Sequence, residues 1–572
     1  MKKKLLAWIL VPGLLMAISC SKKEINAGTS GTVSPSTIAR AVSPPASYAT
    51  FQITNVFSGK LLEVRGDSTL MHGQSNPANV QQYASAGSGK GIAGNQKWYL
   101  IQQGTGTITS TTPFKIMNVE NGMFLEAPNG TSGTTLWVDH TNGFPSQIWN
   151  IQAVSGQTYY VIKNSNGLVL TDHSSSTANG APITEETAAS NTTQYWNLNS
   201  ITAEAYRDDV VVNFFHRGAV ANTTVAFDQG NSIPLTNGAN NGKILWITQD
   251  AYAGSQLKAN GFLACQFFSY HNSGLLQPSI TNWTSGSTPN ITTTSNAGTG
   301  ISLLEIVKSP GDHNATYTWP GAGVEVGSNV LLNGYESANG STPANQALYS
   351  IAESTSSTTW GAVTRLTPNG MSGQTKMSFS VGMIKKPAGD TVYVYGAQST
   401  FFNANAITLA RFPASNPSSW SYWRGHSWAS TPDTTSLSGA ITVGSGTSTQ
   451  ANVMVSYVNG KYVMMQMDLG YFCDPSSRGI YISTATSPFG PFTAPTLVYT
   501  INDLYNGHTA KYYTPIVHGE FVNGRNELLV TYCLNYNGSG GSCSTATCFN
   551  NNQDPNYYQI KGVRIPYSII GL

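Results

Sequence analysis

Charge is scarce in this chain of 572 residues: Asp, Glu, Lys and Arg together make up 10% of it, against roughly a quarter of an ordinary globular protein. The net charge of +2 leaves no basic footprint, so no nucleic acid is expected as a partner. Long apolar runs are missing as well. The one at the start, Leu5 to Ile18, is shorter than the roughly 18 to 20 residues that cross a bilayer, and Pro12-Gly13 interrupts it. Cysteine is sparse: after Cys20 only Cys265, Cys473, Cys533, Cys543 and Cys548 remain, an odd set that cannot all pair within one chain. Cys543 and Cys548 lie in a Gly/Ser/Asn-rich stretch, free to pair with each other or with Cys533 in an oxidising compartment, whereas Cys265 sits in an apolar run and reads as a buried thiol. No second Cys or His pair has zinc-ligand spacing, and neither a metal nor another cofactor is expected. Long helical periods are almost absent. What fills the chain instead is Gly, Ser, Thr and Asn, with 57 Gly, the composition of an exported β protein.

Against that background three tripeptides stand out: Gln96-Lys97-Trp98, Gln147-Ile148-Trp149 and Gln194-Tyr195-Trp196, spaced 51 and 47 residues apart. Each copy also opens alike, with Phe51-Gln52-Ile53, Phe114-Lys115-Ile116 and Tyr160-Val161-Ile162 followed by an Asn and a Gly. A repeat of this length is one supersecondary unit copied until the copies bury a shared core, and Trp98, Trp149 and Trp196 are assigned to that core. The region 47–200 resembles the ricin-B-type β-trefoil lectins, whose lobes each end in Gln-x-Trp. The resemblance implies a sugar site per lobe, built from a carboxylate, an aromatic platform and a polar residue before the Gln. It points to Glu63, Tyr83 and Asn95 in the first lobe and to Glu126, Trp137 and Ser146 in the second. The third lobe departs from the pattern, with Thr171 in the carboxylate's place beside Asp172, and Ile183 or Glu186 near the platform position. Such residue types suit a sugar, which offers hydroxyls to charged acceptors and C–H groups to an aromatic face.

The extreme N-terminus reads as a signal peptide over 1–20, with Lys2-Lys3-Lys4 before the apolar run. Ala17-Ile18-Ser19-Cys20 resembles a bacterial lipobox, which implies lipidation of Cys20 and a membrane-anchored protein on the cell surface or periplasmic face. Ala17 replaces the commoner Leu, so plain secretion stays open. Residues 21–46, rich in Ser, Thr, Ala, Gly and Pro, read as a flexible linker.

From 204 to 572 five hairpins recur. Their second strands are Lys243-Ile244-Leu245-Trp246-Ile247, Asn329-Val330-Leu331-Leu332, Thr391-Val392-Tyr393-Val394-Tyr395, Lys461-Tyr462-Val463-Met464-Met465 and Glu527-Leu528-Leu529-Val530-Thr531, each after a turn with Gly, Asn or Asp. A spacing of roughly 60 to 85 residues suits a four-stranded blade with generous loops. The expected fold is therefore all-β: a β-trefoil followed by a five-bladed β-propeller. Phrases such as Trp319-Pro320-Gly321-Ala322-Gly323 and Ser487-Pro488-Phe489-Gly490-Pro491-Phe492 resemble a bacterial family of uncharacterised propeller domains and, more distantly, arabinanase-type glycoside hydrolases. Ala322 stands where the latter would place an acidic residue.

Topology nominates a site without that resemblance. The start of a blade's innermost strand and the end of its second strand emerge on one face. Asp228 opens an inner strand, Asp250 closes its partner, and Glu336, Asp468 and His508 are expected at the same face. Hydrolysis of a glycoside needs one protonated and one ionised carboxyl. Asp228 is nominated as base or nucleophile, Glu336 as acid and Asp250 as the neighbour that shifts their pKa values. Each carboxylate has a plainer role open to it, because Asp at a strand end often accepts backbone N–H groups. Two readings stand side by side: an exported polysaccharide hydrolase with a glycan-holding trefoil, and a surface lectin that binds glycan without cutting it. Protein-binding adhesion is a third.

Overall fold

The computed structural model describes residues 45, 49–65, 78–85, 93–104, 106–139, 143–218, 223–263, 270–296, 304–339, 343–356, 358–386, 388–398, 405–449, 452–468, 470, 478–501, 503–505, 508–535 and 554–572. The signal segment with Cys20, nearly all of the linker, and Cys265, Cys473, Cys543 and Cys548 lie outside the described residues. The buried Cys533 is a free thiol.

Strands between Ala49 and Ile201 form one barrel-like sheet, closed by the first strand, Ala49–Asn55, running antiparallel to the last, Trp196–Ile201. Three-fold repetition governs its interior. Trp98, Trp149 and Trp196 are fully buried, and so are Ile53, Ile116 and Ile162, then Leu62, Leu125 and Leu170. A buried indole N–H must find an acceptor. Each finds the same one: Nε1 of Trp98, Trp149 and Trp196 donates at 2.9 Å to the carbonyl of Leu62, Leu125 and Leu170 respectively. The Asn that follows each opening strand is explained as well. Oδ1 of Asn55, Asn118 and Asn164 accepts from the backbone N–H two residues on, at 3.0, 3.2 and 3.0 Å, so each begins its hairpin turn as an Asx turn.

Beyond Ala205 the chain forms a five-bladed β-propeller. The innermost strands are Asn231–Pro234, Tyr317–Val326, Met377–Lys385, Asn452–Val458 and Lys511–His518, each packed on the next, with the fifth returning to the first. The second strands, Ile244–Thr248, Asn329–Ser337, Thr391–Gln398, Lys461–Met467 and Glu527–Asn535, coincide with the five runs singled out in the sequence. Ring closure comes from the chain's two ends. Tyr206–Arg207, the first strand after the trefoil, pairs with Ile560–Pro566, the last, with Tyr206 opposite Arg564 and Arg207 opposite Val563.

Tyr206 also seats the trefoil. Its hydroxyl donates to Glu527 Oε2 at 2.7 Å, while the hydroxyl of Tyr99, from the trefoil, donates to Oε1 of the same carboxylate at 2.6 Å. The two rings lie 4.8 Å apart. Gly122, at φ +69°, lies so close to the Arg207 carbonyl that a Cβ would sit 2.3 Å from its oxygen, so no other residue fits that turn.

Because each core Trp fills one third of a shared interior, Trp149→Ala is expected to cost the trefoil about 3 to 5 kcal/mol. Guanidinium titration followed by near-UV circular dichroism checks it. A loss below about 1 kcal/mol would show that the lobes do not share one core.

Candidate functional site

Asp228 follows the strand Thr224–Phe227 and precedes the first inner strand. Its backbone is locked to the far end of the hairpin: Asp228 N donates to the Asp250 carbonyl at 3.1 Å, and Gln249 N donates to the Asp228 carbonyl at 3.0 Å. Gln229 then turns at φ +50°, a left-handed conformation that a non-glycine residue adopts at some cost. This turn brings the two aspartates together.

Both carboxylates are almost buried, 8% exposed for Asp228 and 9% for Asp250. Asp228 Oδ2 accepts from the Tyr513 hydroxyl at 2.8 Å, and Tyr558 also faces the carboxylate. Tyr513 in turn accepts from Asn535 Nδ2 at 3.1 Å. Asp250 Oδ1 accepts from Trp319 Nε1 at 2.6 Å and lies 2.9 Å from His271 Nδ1. Burial, then the Asp250 charge, push the Asp228 carboxyl well above the ordinary carboxylate range. Burial raises Asp250 too, with His271 and Trp319 pulling the other way because both bond to its ionised form. Lys511, close to Asp228, is pushed down by burial. Each negative charge here makes the other harder to form, so the two carboxyls titrate as a coupled pair.

Glu336 does not join the pair. It is fully buried and receives Arg365 Nε at 2.8 Å and Nη2 at 2.7 Å, Tyr349 hydroxyl at 2.5 Å and Asn345 Nδ2 at 2.9 Å. Its two oxygens are thus taken up by a guanidinium and two further donors, and neither aspartate is among these partners, so the structure does not bring the nominated proton donor to the pair. Asp468 ends its strand by accepting from Gly479 N at 2.7 Å, the plainer of its two roles. The side chain of His508 lies outside the described residues. Tyr513, Trp319 and His271 went unnoticed as partners of the aspartates. Trp319 stands in a phrase that the sequence makes conspicuous, but nothing in the sequence marks His271.

In the trefoil the carboxylates meet the repeat's glutamines. Glu63 Oε2 accepts from Gln96 Nε2 at 2.7 Å, and Glu126 Oε2 accepts from Gln147 Nε2 at 3.0 Å. Thus the Gln of Gln-x-Trp orients its lobe's acid while the Trp fills the core. The lobes differ across the hairpin. Trp137 stands directly opposite Glu126, whereas Gln81 stands opposite Glu63 and donates to its Oε1 at 2.8 Å. Tyr83 lies opposite Leu61, one diagonal step from Glu63, and both it and Trp137 are half-buried. Glu63 and Asn95 are each 1% exposed, with Asn95 Nδ2 bonded to the Val64 carbonyl at 3.2 Å. Ser146 Oγ donates to Glu126 Oε1 at 3.0 Å. In the third lobe Gln194 has no acid to meet and donates to the Thr187 carbonyl at 2.9 Å, while burial raises Asp172 to about 6.

The model of the family described as Domain of unknown function (DUF5005) matches residues 208–566, which is the propeller. The chain belongs to this family. The model described as Ricin-type beta-trefoil lectin domain-like matches residues 94–184 and 145–213, so the DUF5005 propeller follows a ricin-B-like lectin domain. Among solved structures the chain is similar to the designed three-fold symmetric protein ThreeFoil, at 24% identity, covering 27% of this chain and 99% of that one with a TM-score of 0.22. The Rhizoctonia solani agglutinin is similar at 23% identity, covering 28% and 100%, TM-score 0.23. An exo-beta-1,3-galactanase from Clostridium thermocellum is similar at 27% identity, covering 27% of this chain and 30% of that one, TM-score 0.23. No curated protein matches the chain.

The raised Asp228 carboxyl has a thermodynamic consequence. Its carboxyl binds protons more tightly folded than unfolded, so between the unfolded value, near 4, and the raised folded value, stability falls as pH rises. Asp228→Asn removes that slope. Thermal unfolding from pH 4 to pH 8 should show the variant gaining on the parent steadily toward pH 8; a gap that does not change with pH would refute the raised carboxyl.

Proposed function

We propose that the chain is an exported, surface-anchored protein whose trefoil holds a glycan and whose propeller hydrolyses a polysaccharide glycosidic bond with Asp228 and Asp250. The observation that supports the hydrolytic reading most is the pair itself: two adjacent, nearly buried carboxyls at the start of the propeller's first blade, in unequal environments. Unequal environments are how two carboxyls divide the roles of acid and base. Asp228 is pushed up furthest and is the proton holder, giving its proton to the departing glycosidic oxygen. Asp250, stabilised as an anion by Trp319 and His271, activates water or attacks the anomeric carbon. This reverses the roles assigned from the sequence, where Glu336 was to supply the proton. In the trefoil, the second lobe is the best equipped, with Trp137 opposite an oriented Glu126.

The non-catalytic reading, a surface lectin, is favoured by one feature: Arg365 holds the third nominated carboxylate out of the chemistry. Reducing-sugar release from a panel of plant, fungal and bacterial-wall polysaccharides separates the two. Asp228→Asn and Asp250→Asn are each expected to lower release at least about a hundredfold, and Glu126→Gln to lower retention on insoluble polymer while leaving release from soluble oligosaccharide unchanged. Absence of release from every polymer, with retention intact, would leave the lectin.

Anchoring rests on the lipobox-like stretch before Cys20. On this reading, Cys20→Ala moves the protein from the membrane fraction to the soluble fraction of the producing cell and abolishes incorporation of labelled fatty acid. Unchanged fractionation would favour plain secretion.

A further inference from the structure

Beside the aspartate pair runs a row of rings that the packing of the propeller does not account for. Tyr317 and Trp319 alternate with buried Thr318 on the second inner strand, so both point to one side of it. Tyr335 is the cross-strand partner of Trp319. The centroids of Tyr317 and Trp319 lie 5.9 Å apart at 27°, and those of Trp319 and Tyr335 lie 5.7 Å apart at 40°. His271 closes the row, 4.4 Å from Tyr317. All four side chains are partly exposed, and the three aromatic residues join none of the apolar cores that bind blade to blade. The row is tied to the chemistry through Trp319, whose Nε1 holds Asp250.

We propose that Tyr317, Trp319 and Tyr335 form a stacking rail that binds an uncharged glycan of at least three pyranose units and leads it to Asp228 and Asp250. The inference rests on the hydrolytic reading for what happens at the end of the rail, and on the rail's own geometry for binding. Neighbouring centroids are spaced on the scale of successive sugar rings, and the apolar C–H face of a pyranose suits an aromatic face. Local charge selects the substrate. The acids here are Asp228, Asp250 and Glu305. Of the cations, Lys308 is 3.2 Å from Glu305, Lys511 lies 5.8 Å over the Tyr513 ring beside Asp228, and His271 is engaged with Asp250. The nearby cations are already engaged by these acids and rings, so a uronic acid polymer finds no free counter-charge and the rail excludes it.

The test uses the full mature chain carrying Glu63→Gln and Glu126→Gln to silence the trefoil and Asp228→Asn to stop turnover. Gluco-, xylo-, galacto- and manno-oligosaccharides of one to five units are titrated by calorimetry, with oligogalacturonates as the charged series. For at least one neutral series, affinity should climb through three units and drop about tenfold in Tyr317→Ala and in Tyr335→Ala, while Tyr317→Phe and Tyr335→Phe, which keep the ring, retain it. Oligogalacturonates should not bind. Affinity that stops rising after one unit, or that ignores both Ala variants, overturns the rail, and so does tighter binding of the acidic series. Hydrolysis is scored separately in the chain with Asp228 restored: release without ring-dependent binding rejects the rail alone, and ring-dependent binding without release keeps the rail and rejects the hydrolase.

Discussion

A two-residue strand closes the propeller. Tyr206 and Arg207 pair with Arg564 and Val563, the strand pairing that ties the beginning of the propeller to its end among the described strands. So short a ladder offers little backbone hydrogen bonding, and side chains make up the rest. Arg207 is fully buried and bonds to the Asp503 carboxylate, which also accepts from the Tyr532 hydroxyl. Burying such charges costs solvation that the pair recovers only with good geometry, and a buried ion pair is better suited to fixing one register than to adding stability. Here the register it fixes decides whether the ring closes. The same dipeptide carries the trefoil, through Tyr206 and Tyr99 on Glu527 and through the Arg207 carbonyl against Gly122.

The candidate site inherits that constraint. Asp228 belongs to the first blade and Tyr513 to the fifth, 285 residues along the chain, yet their hydrogen bond of 2.8 Å bridges the gap that closure removes. Asp250, from the first blade, receives Trp319 from the second. The two carboxyls are therefore set by three different blades, and their unequal surroundings exist only in the closed ring. A site assembled on rigid strands in this way holds its geometry more closely than one carried by loops.

Much of the architecture was written in local signals. Three Gln-x-Trp copies announce a three-fold core because each Trp must be buried and each Gln kept in one place, and five strand runs after turn residues announce five blades. The site was only half legible, for a reason that Glu336 makes plain. Topology puts the end of the second strand at the right face, but successive side chains on a strand point to opposite sides. Tyr335 takes the side of Trp319, and Glu336, one residue on, takes the side of Asn345 and Arg365. A one-residue difference separates the side that faces Trp319 from the side that faces Arg365, and nothing local distinguishes them. Tyr83 shows the same limit: as an aromatic near the first lobe's acid it fits the pattern, but the register gives the place opposite Glu63 to Gln81. Arg365 and His271 were invisible because their partners are distant in the chain and a lone Arg or His carries no periodicity.

The seam between the domains bears on how the glycan binding and cleavage proposed above would cooperate. Only Thr202 to Ala205 separate the trefoil's last strand from the propeller's first, and the Tyr99, Tyr206 and Glu527 contacts follow at once. A flexible tether would let a bound chain sample many positions at a modest effective concentration. A seated trefoil instead fixes the span between its second lobe and the aspartate pair, so on the hydrolytic reading proposed above cooperation would rise only for glycans whose free length bridges that span and vanish for shorter ones.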